Sequence, residues 1–403
     1  MTKYRTLANT QHMADHARAT SLHNARLSSE ASLSWDFLVK GHALFCLLIP
    51  EIHALIESIY QKELTLQRLW SRLPGGAQAH YLRSLLQDEV VATNEIEGVR
   101  STRAEIRRAL RSTARDHRFQ ELAHLYESLS QGEAVMPATL EEIREIYDLA
   151  LSGEDVPGED QPDGELFRSG PVQVWDERRQ RAAHNGFHPE GAITMGLREF
   201  LAVSKQSDLV SAFIGHLMFE VAHPFYDGNG RTGRYLLSVH IASLLSPVTA
   251  LTLSREINAR KTIYYTAFTE FEDPLNRAEG THFVLAMLKI LRAAQEDLDA
   301  DLRARRYLLD QLNHRLDELN EAPTHSWKHI HISILHFLGQ ISLFGDEDPP
   351  RLKEIADHLG RSTQQTRRDL RDLEDDGLVS AVHQKPLRFL LTSRGQETLG
   401  IAL

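Results

Sequence analysis

The sequence contains one cysteine, Cys46, among its 403 residues. A single thiol forms no intrachain disulfide and no cysteine-rich zinc cluster, and such usage is typical of a reducing compartment. A long apolar run is also absent, because the longest one, from about His42 to Ile56, is interrupted by Pro50, Glu51 and His53. That stretch is too short and too polar to cross a bilayer, so we expect no membrane partner.

Neither sign of charge dominates the chain. The net charge of −11 argues against a protein that coats nucleic acid along its whole length. A hydrophobic content of 42% with 25% charged residues is typical of a globular protein, and the length predicts two or three domains. The first residues are polar and lack a signal-peptide pattern, which favours a cytoplasmic protein.

The stretch from His223 to Arg234 concentrates polar groups between two apolar segments that have helical spacing. Gly228 and Gly230, with Asn229 between them, permit a backbone in which N–H groups point together at the start of the second helix. A helix N-terminus of this kind binds anions, since its N–H groups and its dipole both favour negative charge. The spacing therefore predicts an anion site.

The side chains of the same stretch are of the types that bind phosphate, hold Mg²⁺ and accept a proton. Arg231 and Arg234 lie three residues apart, so they share a helix face, and a guanidinium binds two phosphate oxygens at once. Asp227 is an oxygen ligand suited to Mg²⁺ that also keeps phosphate ligands, and His223 can accept a proton from a hydroxyl. Asp-Gly and Asn-Gly are common in turns, but this whole set within twelve residues favours a triphosphate site beside a base.

The segment His223 to Arg234 resembles the signature of the Fic family: His, any residue, Phe, any residue, Asp or Glu, Gly-Asn-Gly-Arg, two of any kind, and Arg. Every fixed position is matched. The resemblance implies a protein adenylyltransferase in which His223 deprotonates a Ser, Thr or Tyr hydroxyl of a target protein. It also implies that ATP and Mg²⁺ are bound here, with Asp227 as the metal ligand and nucleotide contacts from Asp227, Gly228, Asn229, Gly230, Arg231 and Arg234.

A second motif precedes the signature by more than a hundred residues. Gly98 is placed to end a helix in the left-handed conformation, which leaves Glu97 in the last turn, where the helix dipole disfavours a carboxylate. An exposed glutamate at a frayed helix end would also explain this pattern. However, Thr93, Glu97 and Gly98 match the inhibitory motif of Fic proteins, and the resemblance implies that Glu97 pairs with Arg234 and removes it from the γ-phosphate of ATP.

Two further segments resemble parts of the Fic family. Alternating β-formers in residues 167–175 predict a strand, residues 176–185 a polar turn, and residues 186–189 the return strand. In the family such a hairpin flap precedes the signature helix and captures a target segment by strand addition. Arg260 and Tyr265 resemble adenosine-side contacts of the family, although tyrosines at this spacing are as often part of a core.

The last segment, residues 326–403, has a different pattern. An apolar helix, a short helix ended by Gly360, a helix capped by Ser362 and a strand pair near residues 381–391 resemble a winged helix-turn-helix. Four arginines are candidates for DNA phosphate contacts: Arg361, Arg367, Arg368 and Arg371. Acidic and basic residues nearly balance here, so DNA binding and protein–protein binding both stay open.

The predicted fold is mainly α, with a Fic-type helical domain that carries a small β-hairpin flap and with a C-terminal winged helix domain. The predicted divisions are an N-terminal helical region (1–76), a Fic domain that includes the inhibitory helix (77–292), a helical connector (293–325) and the winged helix (326–403). Within the first region, residues 1–30 are expected to form a loosely held arm and residues 33–73 a helical pattern interrupted at Pro50.

The predicted function is transfer of AMP from ATP to a protein hydroxyl, with inhibition by the Glu97–Arg234 pair. Two alternatives stay open: removal of AMP, in which Glu97 orients a hydrolytic water, and a DNA-binding transcription regulator whose Fic domain senses nucleotide. The leucine-containing helix over residues 294–320 is expected to be a connector or to form a homodimer. The target protein is left open.

Overall fold

A computed structural model describes residues 4–112, 117–154, 157–176, 181–321, 327–345 and 349–401. These residues form α-helices with three two-stranded antiparallel hairpins, which confirms the mainly helical class with a small β-hairpin. No helix in these ranges is long and apolar enough to span a membrane. The chain divides into two compact units: Met1–Thr65 with Leu86–Glu296, and Leu66–Leu85 with Asp297–Leu403. The boundaries proposed from the sequence stay predictions.

The N-terminal arm is more ordered than expected. It forms α1 (Leu7–Met13) and α2 (His16–Leu27), whose first turns are capped by the side chains of Thr6 and Asp15. Arg26 of α2 is buried against Glu279, with 2.7 Å between its NH1 nitrogen and the carboxylate. The expectation of a loosely held arm is therefore wrong, because contacts with a segment 250 residues away order it and local periodicity does not reveal them.

The helical pattern expected from residue 33 is also wrong up to Pro50. The chain forms β1 (Ser32–Val39) and β2 (His42–Leu47), an antiparallel hairpin that turns at Lys40 and Gly41, both with positive φ. Alternation buries Phe37 and Val39 on one side of β1. Only part of each strand is buried. In so short a segment, the periodicity of apolar residues alone does not distinguish a strand from a helix.

In the described part of residues 50–321, the regular elements are α-helices, two short 3₁₀ helices and one hairpin. The α-helices and strands are α3 (Pro50–Trp70), α4 (Gly75–Ile96), α5 (Arg103–Arg111), α6 (Gln120–Ser130), α7 (Leu140–Ala150), β3 (Gln173–Asp176), β4 (Arg181–Asn185), α8 (Glu190–Val203), α9 (Leu209–Ala222), α10 (Asn229–Leu244), α11 (Pro247–Ala250), α12 (Leu253–Ala259), α13 (Lys261–Glu272) and α14 (Thr281–Glu321). Pro50 is the first residue of α3, where its missing N–H costs nothing. The expected connector forms the C-terminal part of the long helix α14.

Helix α9 is the centre of the first unit. All of its residues except Glu220 are buried. A helix that is apolar on every side is stable only when other elements surround it. Here α9 packs against α8 and α10, and this packing fixes the loop that joins α9 to α10.

The β3–β4 hairpin differs from the prediction in its return strand. Its return strand β4 is Arg181–Asn185, inside the stretch that was assigned to the turn, and the predicted strand at 186–189 is wrong. The sequence of β4 is Arg-Ala-Ala-His-Asn, in which apolar and polar residues do not alternate, so the usual pattern of a strand is missing. The turn itself, 177–180, lies outside the described residues.

The second unit contains the segment that resembles a winged helix. It has α15 (His329–Phe344), α16 (Leu352–His358), α17 (Thr363–Asp375), β5 (Val379–Gln384), β6 (Leu387–Leu391) and α18 (Ser393–Thr398). Ser362 caps α17, because its hydroxyl accepts from the N–H of Gln365 at 3.3 Å. Three helices followed by an antiparallel hairpin are the predicted elements in the predicted order.

The arginines that were candidates for DNA phosphates divide into two pairs. Arg367 makes an ion pair with Glu374 and stacks over Phe389, and Arg361 lies 3.5 Å from a carboxylate oxygen of Asp369. These two cations are therefore used inside the fold. Arg368 and Arg371 are exposed on α17, so a DNA contact would depend chiefly on them.

A group formed by His331, Asp369 and Asp372 has donor atoms within 4.8 Å of one another, the composition of a metal site. Two observations favour a structural role instead. The backbone N–H of Lys328 donates to Nδ1 of His331 at 3.4 Å, which leaves the ring proton on Nε2, toward the carboxylates. The ammonium of Lys328 lies 3.7 Å from Asp372, and Arg361 is near Asp369, so cations of the chain already balance the charge.

The Arg26–Glu279 pair provides a test of how the N-terminal arm is held. Replacing Glu279 with Leu leaves Arg26 buried without a counter-charge, and we expect a loss of about 3–5 kcal/mol in the free energy of unfolding. The double variant Arg26→Met, Glu279→Leu should lose less, since no charge is stranded. Urea unfolding followed by circular dichroism measures both. Equal losses in the two variants would contradict this account.

Candidate active site

The loop between α9 and α10 contains two residues in the left-handed backbone conformation. His223 ends α9 in the left-handed region, with φ 49°, which costs a non-glycine residue about 1–2 kcal/mol. Gly228 also has a positive φ, 75°, and α10 begins directly after it. The side chain of Asn229 binds both the N–H and the carbonyl of Phe225, at 2.9 and 2.7 Å. The loop is thus closed on itself at the predicted helix start.

Two glycines of the loop are needed because other groups approach the backbone closely. A Cβ at Gly228 would lie 2.5 Å from a methyl group of Leu151, in the turn that follows α7. A Cβ at Gly230 would lie 2.2 Å from the carboxylate of Glu97. The first turn of α10 is therefore in contact with a carboxylate, the charge that a helix N-terminus attracts.

Arg234 is held by the end of α4. Its NH1 nitrogen lies 2.7 Å from Oε1 of Glu97, its Nε donates to the hydroxyl of Thr93 at 2.8 Å, and its NH2 donates to the Thr93 carbonyl at 2.9 Å. The Arg234 side chain is 2% exposed and that of Glu97 29%. Burial acts to lower the pKa of Arg234, but Glu97 and the other acidic groups around it, Tyr264, Glu220 and Tyr265, together raise that pKa. The structure thus contains the pair that the motif predicted.

Arg231 is paired as well, with a residue that the sequence did not single out. Its NH1 nitrogen binds the carboxylate of Glu154, and its NH2 lies 3.6 Å from Oδ2 of Asp227. Burial raises the pKa of Glu154, and the charge of Arg231 partly offsets this. Among the described residues, both signature arginines are therefore buried against carboxylates. The only signal for Glu154 was an acidic loop composition, which does not distinguish it from its neighbours.

Asp227 stands at the exposed side of the loop. Its side chain is 57% exposed, whereas the arginines beneath it are buried. Mg²⁺ is commonly held in nucleotide sites by one or two carboxylates together with phosphate oxygens and water. A single accessible carboxylate next to an anion site fits that requirement.

The ring of His223 is oriented by its own helix. Nδ1 lies 3.3 Å from the backbone carbonyl of Glu220, so it carries the proton of the neutral ring and donates it to that oxygen. The neutral imidazole then has its lone pair on Nε2, where it can accept a proton. The residue is half-buried at the loop entrance.

The end of α4 is held in place by residues that the sequence did not indicate. Lys261 donates to the carbonyl of Ile96 at 2.7 Å, and Asn258 donates to the carboxylate of Glu95 at 2.9 Å. A cation at the C-terminus of a helix interacts favourably with its dipole and its last carbonyls. Gly98 has φ 75°, the left-handed conformation that was predicted to end this helix. These contacts keep Glu97 directed toward Arg234.

The two predicted adenosine contacts differ in their surroundings. Arg260 makes an ion pair with Glu256 of α12, and 46% of its side chain is exposed. Tyr265 is 44% exposed, and its pKa is raised to about 12 by burial and by the negative charge of Glu97. Tyr265 therefore belongs to the electrostatic surroundings of the Glu97–Arg234 pair, whereas Arg260 is engaged elsewhere. Contact of either residue with adenosine stays a prediction.

Comparison with known proteins agrees with this geometry. Residues 137–241 match the Fic/DOC family. The matched region runs from just before α7 into α10 and includes the whole loop from His223 to Arg234, so this part of the chain is similar to the Fic/DOC family. The segment with Thr93 and Glu97 lies outside the match.

Solved Fic structures resemble the chain over a larger part of its length. A Fic family protein from Desulfovibrio desulfuricans G20 is 20% identical, with a TM-score of 0.51 over 87% of this chain and 98% of that one. Fic-1 from C. elegans is 18% identical, with a TM-score of 0.45 over 73% and 78%. At these identities the first likeness concerns the fold alone, and the second is too distant to add to it.

Glu220 of α9 gives the site a dependence of stability on pH. Burial raises the pKa of its carboxyl, the positive charge of Arg234 lowers it, and the negative charge of Glu97 raises it. The net result is a pKa of about 8. A folded-state pKa above the unfolded value means that this contribution to stability is present at about pH 4.5 and is lost as the pH rises through about 8.

We therefore expect Glu220→Gln to gain thermal stability relative to wild type between pH 5 and pH 8.5, because it removes the cost of ionising a buried carboxyl. Melting temperatures at the two pH values measure this. The exposed Glu133→Gln serves as control, since its carboxyl is in solvent. A difference between Glu220→Gln and wild type that does not change with pH would show that Glu220 ionises freely.

Proposed function

We propose that the protein is an adenylyltransferase that transfers AMP from ATP to a Ser, Thr or Tyr hydroxyl of a target protein, and that Glu97 inhibits it. One observation carries the proposal: the Glu97 carboxylate lies on Arg234 and against Gly230, at the N-terminus of α10. A carboxylate in that place makes the contacts that a phosphate oxygen would make. The Fic/DOC match over the same loop supports a nucleotidyl transfer chemistry.

The residues of the loop suggest how the reaction proceeds. The phosphates of ATP would lie on the backbone of Gly228 to Gly230 and on Arg234 once Glu97 has left. Nε2 of His223 takes the proton of the target hydroxyl while its oxygen attacks the α-phosphorus. The bond from the α-phosphorus to the bridging oxygen breaks, and pyrophosphate leaves. Catalysis then consists mainly of positioning and charge neutralisation.

Two parts of the site have supporting roles in this proposal. Asp227 would hold Mg²⁺, which neutralises charge on the phosphates of the nucleotide. Arg231 is buried against Glu154, so its first role is to fix the turn after α7 beside the loop rather than to contact phosphate. The β3–β4 hairpin would present the target segment by strand addition.

The inhibition is a competition between one carboxylate and one phosphate for Arg234. Each nitrogen of the guanidinium contacts Glu97 or Thr93, and the γ-phosphate cannot take the place of Glu97 on Arg234 while these contacts persist. Because the end of α4 is held by Lys261 and Asn258, the inhibited state is the one that the fold itself favours.

Release of Glu97 should therefore activate the protein. If the pair opens in about 1% of molecules, Glu97→Gly should raise AMP transfer about 100-fold. Self-labelling with α-³²P-ATP measures the rate, and isothermal titration measures ATP affinity. Glu133→Gly, a substitution of an exposed glutamate, serves as control for the loss of a negative charge. Equal labelling of wild type and Glu97→Gly would contradict inhibition by this residue.

His223 is expected to act only in the chemical step. In the Glu97→Gly background, His223→Ala should reduce labelling by about 10²–10⁴-fold, the usual contribution of a general base. ATP affinity should stay within a factor of about three, since the ring makes no proposed contact with the phosphates. His53→Ala, an exposed histidine of α3, is the matched control. Undiminished labelling would assign the proton transfer to another group.

AMP removal is the second candidate, because Glu97 is partly exposed within the site and a carboxylate can orient an attacking water. The same labelled material separates the two functions. Wild-type protein added to labelled Glu97→Gly should leave the label in place if the protein transfers AMP. Rapid loss of label that depends on Glu97 would favour removal.

A further inference from the structure

His223 adopts a backbone conformation that needs support. It is a non-glycine residue with φ 49°, it ends α9, and a ring that exchanges a proton with a substrate has to keep one orientation. Its own N–H donates to the Phe219 carbonyl at 3.0 Å, which satisfies the helix side of the turn. The carbonyls of Ala222 and His223, at the C-terminal end of the helix, need other donors.

Arg168 donates to both carbonyls, and the Ala222 carbonyl also accepts from the backbone N–H of Phe187 at 3.0 Å. The Nε of Arg168 donates to the carbonyl of His223 at 2.8 Å, and its NH2 donates to that of Ala222 at 3.4 Å. The same guanidinium binds the carbonyl of Phe187 at 2.7 Å and that of Gly170 through NH1. Its backbone N–H donates to Pro224 at 3.1 Å. Arg168 is 0% exposed, so its side of these bonds is shielded from water.

The partners of this guanidinium are unusual for a buried cation. Among the described residues its acceptors are backbone carbonyls, and no carboxylate forms an ion pair with it. Two of the carbonyls belong to the negative end of α9, where a positive charge is favoured by the helix dipole. A cation placed there is stabilised by the conformation of the loop and in turn stabilises that conformation.

The contacts also join the loop to the hairpin. Gly170 precedes β3 and Phe187 follows β4, so the guanidinium bridges both ends of the hairpin to the backbone of His223. The packing around it is tight: a Cβ at Gly186 would lie 2.3 Å from the Arg168 NH2 nitrogen and 2.9 Å from Cβ of His223. Hairpin, guanidinium and histidine therefore cannot move independently.

We propose that Arg168 is a positioning residue for His223: through backbone carbonyls alone it fixes the orientation of the base and couples it to the hairpin that would present the target. The proposal rests on the proposed function in giving His223 the role of base. Lys cannot replace Arg here, because one ammonium cannot reach four carbonyls that lie in the directions of a planar fork.

The main test uses Arg168→Lys in the full chain with Glu97→Gly. We expect kcat for self-labelling to fall about 100-fold, as for a small misplacement of a catalytic group, while KM for ATP changes less than about threefold. Arg198→Lys, an exposed arginine on α8, is the control and should keep full activity. An Arg168→Lys variant with unchanged kcat would overturn the proposal, and so would a rise in KM alone.

A second readout does not depend on activity. In ¹⁵N-histidine-labelled protein, the ring signals of His223, identified by their absence in His223→Ala, should shift in Arg168→Lys and stay in place in Arg198→Lys. Unchanged His223 signals would overturn the proposal even if activity fell. If no variant shows AMP transfer, shifted ring signals would still support the positioning role, and only the proposed function would fail.

Gly186→Ala tests the same contact without removing the charge. Its methyl group would displace the guanidinium from the carbonyls, so we expect the same shift of the His223 signals and a similar fall in kcat. Melting temperatures show whether each variant is folded. If both variants were unfolded at 25 °C, Arg168 would be a determinant of the fold as a whole, and the positioning role would be rejected.

Discussion

A single buried cation, Arg234, governs the state of the candidate site. Burial makes an unpaired guanidinium costly, so Arg234 needs an anion at all times. In the structure this anion is Glu97, which also lies against the first turn of α10. A phosphate that binds Arg234 would have to displace Glu97 and replace its charge-assisted hydrogen bond. In the proposed function, Glu97 and the γ-phosphate therefore exclude each other from Arg234 for a simple electrostatic reason.

The surrounding helices are arranged so that this exclusion holds. Helix α9 is buried on nearly every side and fixes where the loop begins, while α4 brings Glu97 to the loop from a distant part of the sequence. Lys261 and Asn258 hold the end of α4, and Glu154 holds Arg231. In the proposed function, activation requires the last turn of α4 to move, whereas the loop itself can stay in place.

The backbone of the loop is as important as its side chains. Gly228 and Gly230 allow Leu151 and Glu97 to approach, and Asn229 closes the loop through two bonds to Phe225. Arg168 binds the carbonyls at the end of α9 and so reaches His223 without touching its ring. Residues that act through the backbone leave no chemical signature in a sequence, which explains why Arg168 was not among the predicted residues.

The sequence by itself determined the mainly helical class, the helix break between α9 and α10, the left-handed end of α4 at Gly98 and the identity of the groups in the loop. These features depend on local conformational preferences and on a motif of twelve consecutive residues. The sequence did not predict the β1–β2 hairpin or the position of β4, because short strands with few buried side chains show no clear alternation of apolar and polar residues.

Apart from the Glu97–Arg234 pair, which the motif predicted, only the tertiary structure decided which groups the buried charges are paired with. Arg231 pairs with Glu154, Arg26 with Glu279, and Arg168 with the carbonyls of Ala222 and His223. These contacts join residues that are 54 to 253 positions apart. Many carboxylates of the chain could pair with a buried arginine, and the packing of the helices determines which one does. The pairing of buried charges follows from how the helices pack, and that information is distributed over the whole chain.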